Sequence, residues 1–204
     1  MRRFGFGQKT GITLPGEAAG QLKELSSWDS MSLVSISFGH EVSVTPLQMI
    51  NAISSIANGG TLMVPRITRA IMKGGRIEKR FEPKALRRVI SVQSSRQMVD
   101  ILKHVVKNGT GRKAAVKGYE VAGKTGTAQV ANLELRNKYA DSKDIPYALR
   151  HHAWFVAGVL DRQTKIALCV LIEHTGQKSM GQRPIGHHPH AVFLTIRKHC
   201  LLLA

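Results

Sequence analysis

The chain has 204 residues, 43% of them hydrophobic and 21% charged, enough to bury a core and too apolar for a disordered tail. Thirty Lys and Arg against thirteen Asp and Glu leave a formal charge of +17, which brings nucleic acid, an anionic lipid surface or a wall polymer into view as partners. An aromatic content of 5%, with no helix-turn-helix, aromatic RNA-binding strand or Cys/His zinc spacing, argues against nucleic acid. The longest apolar runs, 153–160 and 166–172, fall far short of the roughly 20 residues of a spanning helix, and Met1-Arg2-Arg3 followed by Phe4-Gly5 does not read as a signal peptide. Cys169 and Cys200 lie in apolar segments and read as small buried hydrophobes, not as a disulfide framework.

In chain order, residues 4–20 are too rich in glycine for a regular element and are expected to form an ordered turn-and-loop segment. Thr45 before Pro46 marks a helix start, and Leu47, Ile50, Ile53, Ile56 and Ala57 recur at helical spacing until Asn58-Gly59-Gly60. Leu62 to Met72 and Arg76 to Phe81 flank Gly74-Gly75 as a basic, exposed hairpin. Ser94 or Ser95 is expected to cap a second helix whose apolar face is Met98, Val99, Leu102, Val105 and Val106, ending at Asn108-Gly109.

Residues 119–130 read as a strand that carries chemistry. Val121, Ala122, Ala128 and Val130 suit a half-buried pleated surface, and Gly123 and Gly126 remove side chains where something else comes close to the backbone. Between them stand Lys124 and Thr125. A cation, a hydroxyl and an approachable backbone N–H make a receptor for a carboxylate or for an oxygen gaining negative charge. Taken alone, a lysine on a strand is an ordinary edge or solvent residue. The segment 131–150 is polar and reads either as a rim over the cleft beside that strand or as an insertion. Residues 153–160 and 166–174 then form an antiparallel hairpin through 161–164, and Ala191–Leu203 reads as a terminal helix. His151-His152 and His187-His188-x-His190 invite a metal, yet no Glu or Asp stands with them at a zinc-helix spacing, so no metal is assigned.

Lys-Thr-Gly stands here inside a longer pattern: Gly109-Thr110-Gly111, Gly118-Tyr119, then Val121-Ala122-Gly123-Lys124-Thr125-Gly126-Thr127-Ala128-Gln129. With Phe4-Gly5-x-Gly7, Leu14-Pro15-Gly16-Glu17 and Thr45-Pro46-Leu47-Gln48, the pattern resembles the transpeptidase domain of class B penicillin-binding proteins, the bacterial cell-wall cross-linking enzymes, over about residues 4–200. The resemblance implies an α+β fold: an antiparallel sheet packed with helices, plus a helical lobe. Three strands, around 119–130, 153–160 and 166–173, would be this chain's part of a five-stranded family sheet, with the Lys124 strand at one edge. The other two would come from a preceding segment and pair against 166–172, which is otherwise an exposed apolar edge.

The chain holds no Ser-x-x-Lys, no Ser-x-Asn and no Gly-x-Ser-x-Gly. By family order the first two would lie before Met1, so residues 1–204 are expected to be the C-terminal portion of one transpeptidase domain, inactive alone for want of a nucleophile. The resemblance implies a serine D,D-transpeptidase that is penicillin-binding and acts in cell shape and division, with Lys124, Thr125, Gly126 and Thr127 binding substrate and the Thr127 backbone N–H in the oxyanion hole. It implies no cofactor. The partners it implies are peptidoglycan stem peptides, β-lactams, the missing N-terminal part of the domain and other cell-wall synthesis proteins. It places the intact parent at the extracytoplasmic face of the bacterial inner membrane. The alternatives are a β-lactamase-like or sensor domain, or a non-catalytic basic module on an anionic polymer.

Overall fold

The computed structural model describes residues 1–129, 137–138, 151–160, 165–172, 190–197 and 200–203. The first 20 residues hold a single 3-10 turn at Arg2–Phe4 and otherwise run as turns, as their glycine content predicts. Glu17 organises them: its carboxylate accepts the Thr10 amide at 2.6 Å, the Thr10 hydroxyl at 2.5 Å and the Gly11 amide at 3.3 Å. Short strands β1 (Gln21–Leu22) and β2 (Val42–Ser43) pair around helix α1 (Ser32–Ser37).

Helix α2 spans Pro46–Ala57, where the Thr45-Pro46 signal predicts it. Thr45 Oγ1 accepts the Gln48 amide at 3.1 Å and Gln48 Oε1 accepts the Thr45 amide at 2.9 Å, a reciprocal box that satisfies two donors at the helix start. The helix is more enclosed than its apolar spacing suggests. Gln48, Asn51, Ser54 and Ser55 are buried beside Ile50, and the two serines return their hydroxyls to the carbonyls of Ile50 and Ala52 at 2.7 Å.

The stretch expected to run as one strand from Leu62 to Met72 divides in two. Strand β3 (Thr61–Met63) pairs with β6 (Ala85–Arg88), and β4 (Ala70–Lys73) pairs with β5 (Arg76–Arg80) across Gly74-Gly75. Pro65 is the physical break, since it cannot donate to a ladder. Helix α3 covers Val92–Asn108, and its cap is Ser91, whose hydroxyl accepts the Ser94 amide at 3.0 Å. The expected caps, Ser94 and Ser95, lie one turn too late. Ser95 is instead buried and donates its hydroxyl to the Ile56 carbonyl at 2.5 Å, tying α3 to α2.

Five strands follow in one antiparallel sheet: β7 (Val121–Gln129), β8 (His151–Leu160), β9 (Lys165–Ile172), β10 (His190–Arg197) and β11 (Cys200–Leu203), in the spatial order β11-β10-β9-β8-β7. The three expected strands are present as a meander with the Lys124 strand at its edge. Two expectations fail at the other side. The terminal segment is a strand pair and not a helix, and β9 is hydrogen-bonded on both sides instead of standing as a free edge. A short apolar run is compatible with either element, and Val192, Phe193, Thr195 and Ile196 are β-prone; the apolar edge of β9 decides.

Alternate residues of β8 face opposite sides of the sheet. Val156, with Cys169 opposite it and Ala167 nearby, packs against Ile50 of α2; Ala157, with Val121, packs against Val106 of α3. The sheet is therefore held between two helices, each bringing one well-buried aliphatic side chain. Cys169 is fully buried, as its apolar run predicts, and burial pushes its thiol up to about 11. The segment 131–150, apart from 137–138, and the 161–164 turn, His187 and His188 lie outside the described residues.

Candidate functional site

Strand β7, an edge of the sheet, carries the candidate residues. Val121, Ala122 and Gly123 are buried, whereas Lys124, Gly126 and Thr127 are exposed and Thr125 is half-buried. The buried start fastens the strand, and the exposed end offers side chains to a ligand. Lys103 of α3 and Glu120, 2.9 Å apart, add an exposed ion pair at the strand's entry, worth well under about 1 kcal/mol.

The two glycines differ in role. A Cβ on Gly123 would stand 2.9 Å from Phe155 Cζ and 3.0 Å from both Ala157 Cβ and the Val156 carbonyl oxygen, so the close approach expected there is made by β8. On Gly126 the nearest atom would be Trp154 Cβ at 3.7 Å, an ordinary contact. Nothing within the described residues crowds Gly126. Its open face is available to something bound.

Lys124 donates from Nζ to the Thr125 carbonyl at 2.6 Å. An ammonium has three donors, so two remain for an anion. Thr125 Oγ1 lies 2.9 Å from Thr110 Oγ1, and either hydroxyl can donate. This contact joins β7 to the turn after α3, and sequence reasoning did not assign it. The turn is folded tightly onto the helix end, with the Gly109 and Gly111 amides both reaching the Val105 carbonyl, at 3.0 and 3.1 Å. A Cβ on Gly109 would sit 2.9 Å from that carbonyl oxygen. The glycine spacing in Gly109-Thr110-Gly111 was the available signal, because two unsubstituted positions let the middle side chain be pressed against a neighbour.

Thr110, Arg112 and Lys113 on one side and Thr125, Gly126 and Thr127 on the other line a groove of about 570 Å³, floored by Phe155, Val170 and Ile172. Its size falls within the range of small-ligand sites, its floor is apolar, and its rim carries hydroxyls and cations. Such a groove accepts an extended ligand with an apolar body and an anionic end. Among the described residues no group of three or more His, Cys, Asp or Glu could hold a metal ion. His151 and His152 stand on β8 opposite Gln129 and Ala128, beside the exposed end of β7.

A family model described as the penicillin binding protein transpeptidase domain matches residues 1–187. Stage V sporulation protein D of Bacillus subtilis is 45% identical over 131 residues, covering 63% of this chain and 20% of that protein. Peptidoglycan D,D-transpeptidase MrdA of Haemophilus influenzae is 31% identical over 202 residues, 91% of this chain and 30% of that one. Among solved structures, the apo TP domain of Burkholderia pseudomallei penicillin-binding protein 3 is similar at a TM-score of 0.67 and 28% identity, covering 85% of this chain and 47% of that chain. Penicillin-binding protein 3 of Mycobacterium tuberculosis, complexed with aztreonam, matches at a TM-score of 0.59 and 30% identity, over 84% of this chain and 35% of that one. The chain thus spans under a third of the length of these curated relatives.

Proposed function

From the premise that this chain belongs to the penicillin-binding protein transpeptidase family, we propose that Lys124, Thr125, Gly126 and Thr127 form the part of a D,D-transpeptidase site that receives the donor stem peptide. The observation that carries this reading is the Lys124-Thr125-Gly126-Thr127 end of an edge strand, exposed except at the half-buried Thr125, with Thr125, Gly126 and Thr127 lining a groove that has an apolar floor and a basic rim. Lys124 and the hydroxyls of Thr125 and Thr127 hold the terminal carboxylate of the stem, or that of a β-lactam. The Thr127 backbone N–H stabilises the oxyanion as the acyl bond is attacked.

The magnitudes suit assistance to a nucleophile. A lysine about 4 Å from a carboxylate gains about 1 kcal/mol in bulk water and about 4 kcal/mol at an effective dielectric near 20, so its contribution grows as substrate excludes water. One oxyanion donor is worth about 2.7 to 4 kcal/mol. Acyl transfer also needs an activated serine and a base within hydrogen-bonding reach. Residues 1–204 contain neither Ser-x-x-Lys nor Ser-x-Asn. We therefore assign these residues the C-terminal portion of one transpeptidase domain, and the nucleophile to a segment outside them. The complete enzyme acts on wall peptides at the extracytoplasmic face of the membrane, with other wall-synthesis proteins as partners.

Two measurements test this. Residues 1–204 incubated with a fluorescent penicillin should give no labelled band on a denaturing gel; a band that survives boiling would show a nucleophile within them. In a longer polypeptide that joins them to Ser-x-x-Lys and Ser-x-Asn segments, Lys124→Ala should lower acylation by carboxylate-bearing β-lactams at least about tenfold while leaving the melting temperature nearly unchanged. Equal losses of both would assign Lys124 to packing.

A further inference from the structure

We propose that the cavity between the N-terminal loop, helix α2 and the β3–β6 pair is a binding site for a small hydroxylated anion, of sugar-phosphate size and chemistry. The cavity measures about 390 Å³, within the range of small-ligand sites, and shares no lining residue with the groove beside β7. Its inner wall includes Gln48 and Asn51 of α2 and Leu62 of β3, each 2% exposed or less. Gln48 is satisfied by its bonds to Thr45, Gln8 and Ala19. Asn51 is not. Its Nδ2 donates to the Met63 carbonyl at 3.0 Å, which fixes the amide, while the buried Oδ1 accepts from no donor among the described residues. A buried acceptor left without a donor is costly, so this wall calls for an O–H or N–H from outside the chain.

The outer wall carries charge of one sign. Lys9, Lys84 and Arg87 are exposed and line the cavity, and no Asp or Glu lines it. Among the described residues no ion pair engages any of the three. Arg87 is held in place by donating from Nε and Nη2 to the Arg3 and Arg2 carbonyls at 2.9 and 3.1 Å, with Nη1 outside those bonds. Glu17, bonded to the lining residues Thr10 and Gly11, has its carboxylate occupied by them. Three cations around one opening suit a phosphate or a carboxylate. Phe4, Leu62 and Val64 add apolar surface for a carbon skeleton. A lone water would satisfy Asn51 Oδ1 and leave the cations unused; a donor-free anion would do the reverse. A molecule with a hydroxyl at one end and an anion at the other serves both.

The test is equilibrium dialysis of the 204-residue chain against radiolabelled glucose 6-phosphate at pH 8, with unlabelled competitors. Glucose 6-phosphate should bind. Propyl phosphate, which keeps the anion and has no hydroxyl donor when fully ionised, should compete at least about tenfold more weakly. Glucose, which lacks the anion, should also compete at least about tenfold more weakly. Competition by glucuronate would extend the ligand to carboxylates, and its failure would assign the anion to a phosphate ester; the proposal stands on either. Lys9→Gln with Lys84→Gln should weaken binding about fivefold per cation. Lys73→Gln with Arg76→Gln, which removes the same charge from the β4–β5 hairpin, should leave it unchanged. All four side chains are exposed, so circular dichroism of both variants should match the parent. No binding at millimolar ligand would overturn the proposal and leave Asn51 to a water. Equal competition by propyl phosphate, or equal loss in the hairpin variant, would also overturn it and reduce the binding to general attraction by the +17 charge.

Discussion

At the scale of single residues, Gly123 and the Lys23–Glu41 cluster make opposite kinds of demand. Gly123 is required by space: Ala at this position must displace Phe155, Ala157 or the backbone of Val156, each within 3.0 Å of the new carbon. We expect Gly123→Ala to lower unfolding free energy by about 1–3 kcal/mol in chemical denaturation, whereas Gly126→Ala, with its nearest neighbour at 3.7 Å, should leave stability within about 0.5 kcal/mol. The cluster near α1 is electrostatic. Lys23 donates to Glu41 at 2.6 Å, and the buried Ser32 hydroxyl lies 3.1 Å from both the Asp29 and the Glu41 carboxylates. The Met31 amide, the Ser32 hydroxyl and the Ser32 amide hold the Asp29 carboxyl below its ordinary 3.8; the Lys23 bond, with help from Ser32, holds Glu41 below 4.5; and Glu41 holds Lys23 above 10.5. Stability from the two depressed carboxyls is present above their ordinary values and lost as pH falls through the lower folded ones. Stability from Lys23 is complete below 10.5 and lost as pH rises past its raised value. Denaturation midpoints of the parent and of Glu41→Gln should therefore differ by a small constant amount between about pH 5 and 10 and converge outside that window.

At the scale of elements, Gln48 joins helix α2 to the N-terminal loop. Besides closing the box with Thr45, its amide nitrogen donates to the Gln8 carbonyl at 2.7 Å and the Ala19 carbonyl at 2.6 Å, and the side chain is 1% exposed. Gln48→Ala should cost about 2–3 kcal/mol, since it orphans buried carbonyls as well as the cap, and Thr45→Ala only about 1 kcal/mol. Helix and loop should loosen together in hydrogen exchange for the first variant and the helix start alone for the second. On β9, Cys169 has no exposure and a thiol raised to about 11 by burial, so in a Cys200→Ser background no thiol should react with a disulfide reagent at pH 8 until denaturant is added. Rapid reaction in the native state would show that β9 opens without global unfolding.

At the scale of the whole molecule, the sheet's two edges are unlike. One is β7, with Lys124 and Thr127 exposed to solvent; the other is β11, Cys200–Leu203, whose four residues carry no charge, proline or glycine. An uncharged apolar edge is a template for pairing with a second chain. Light scattering at tens of micromolar should show association that Leu202→Lys reduces, and a stable monomer for the parent chain would remove β11 as the cause.

Local chemistry determined much of this in advance. Thr45-Pro46 placed α2, the alternating small and apolar residues placed β7, and Lys124-Thr125-Gly126-Thr127 within their longer pattern pointed to the family and raised the site proposed above, because caps, pleats and short motifs depend on neighbours in sequence. Only the tertiary structure decided that Thr110 meets Thr125, that Ser95 anchors α3 to α2, and that Gly123 and Gly126 have different duties, since each rests on an atom far along the chain. It also decided the state of the terminal segment. A short apolar run satisfies a helix or a strand about equally, and the open hydrogen-bonding edge of β9 supplied the partner that made it a strand.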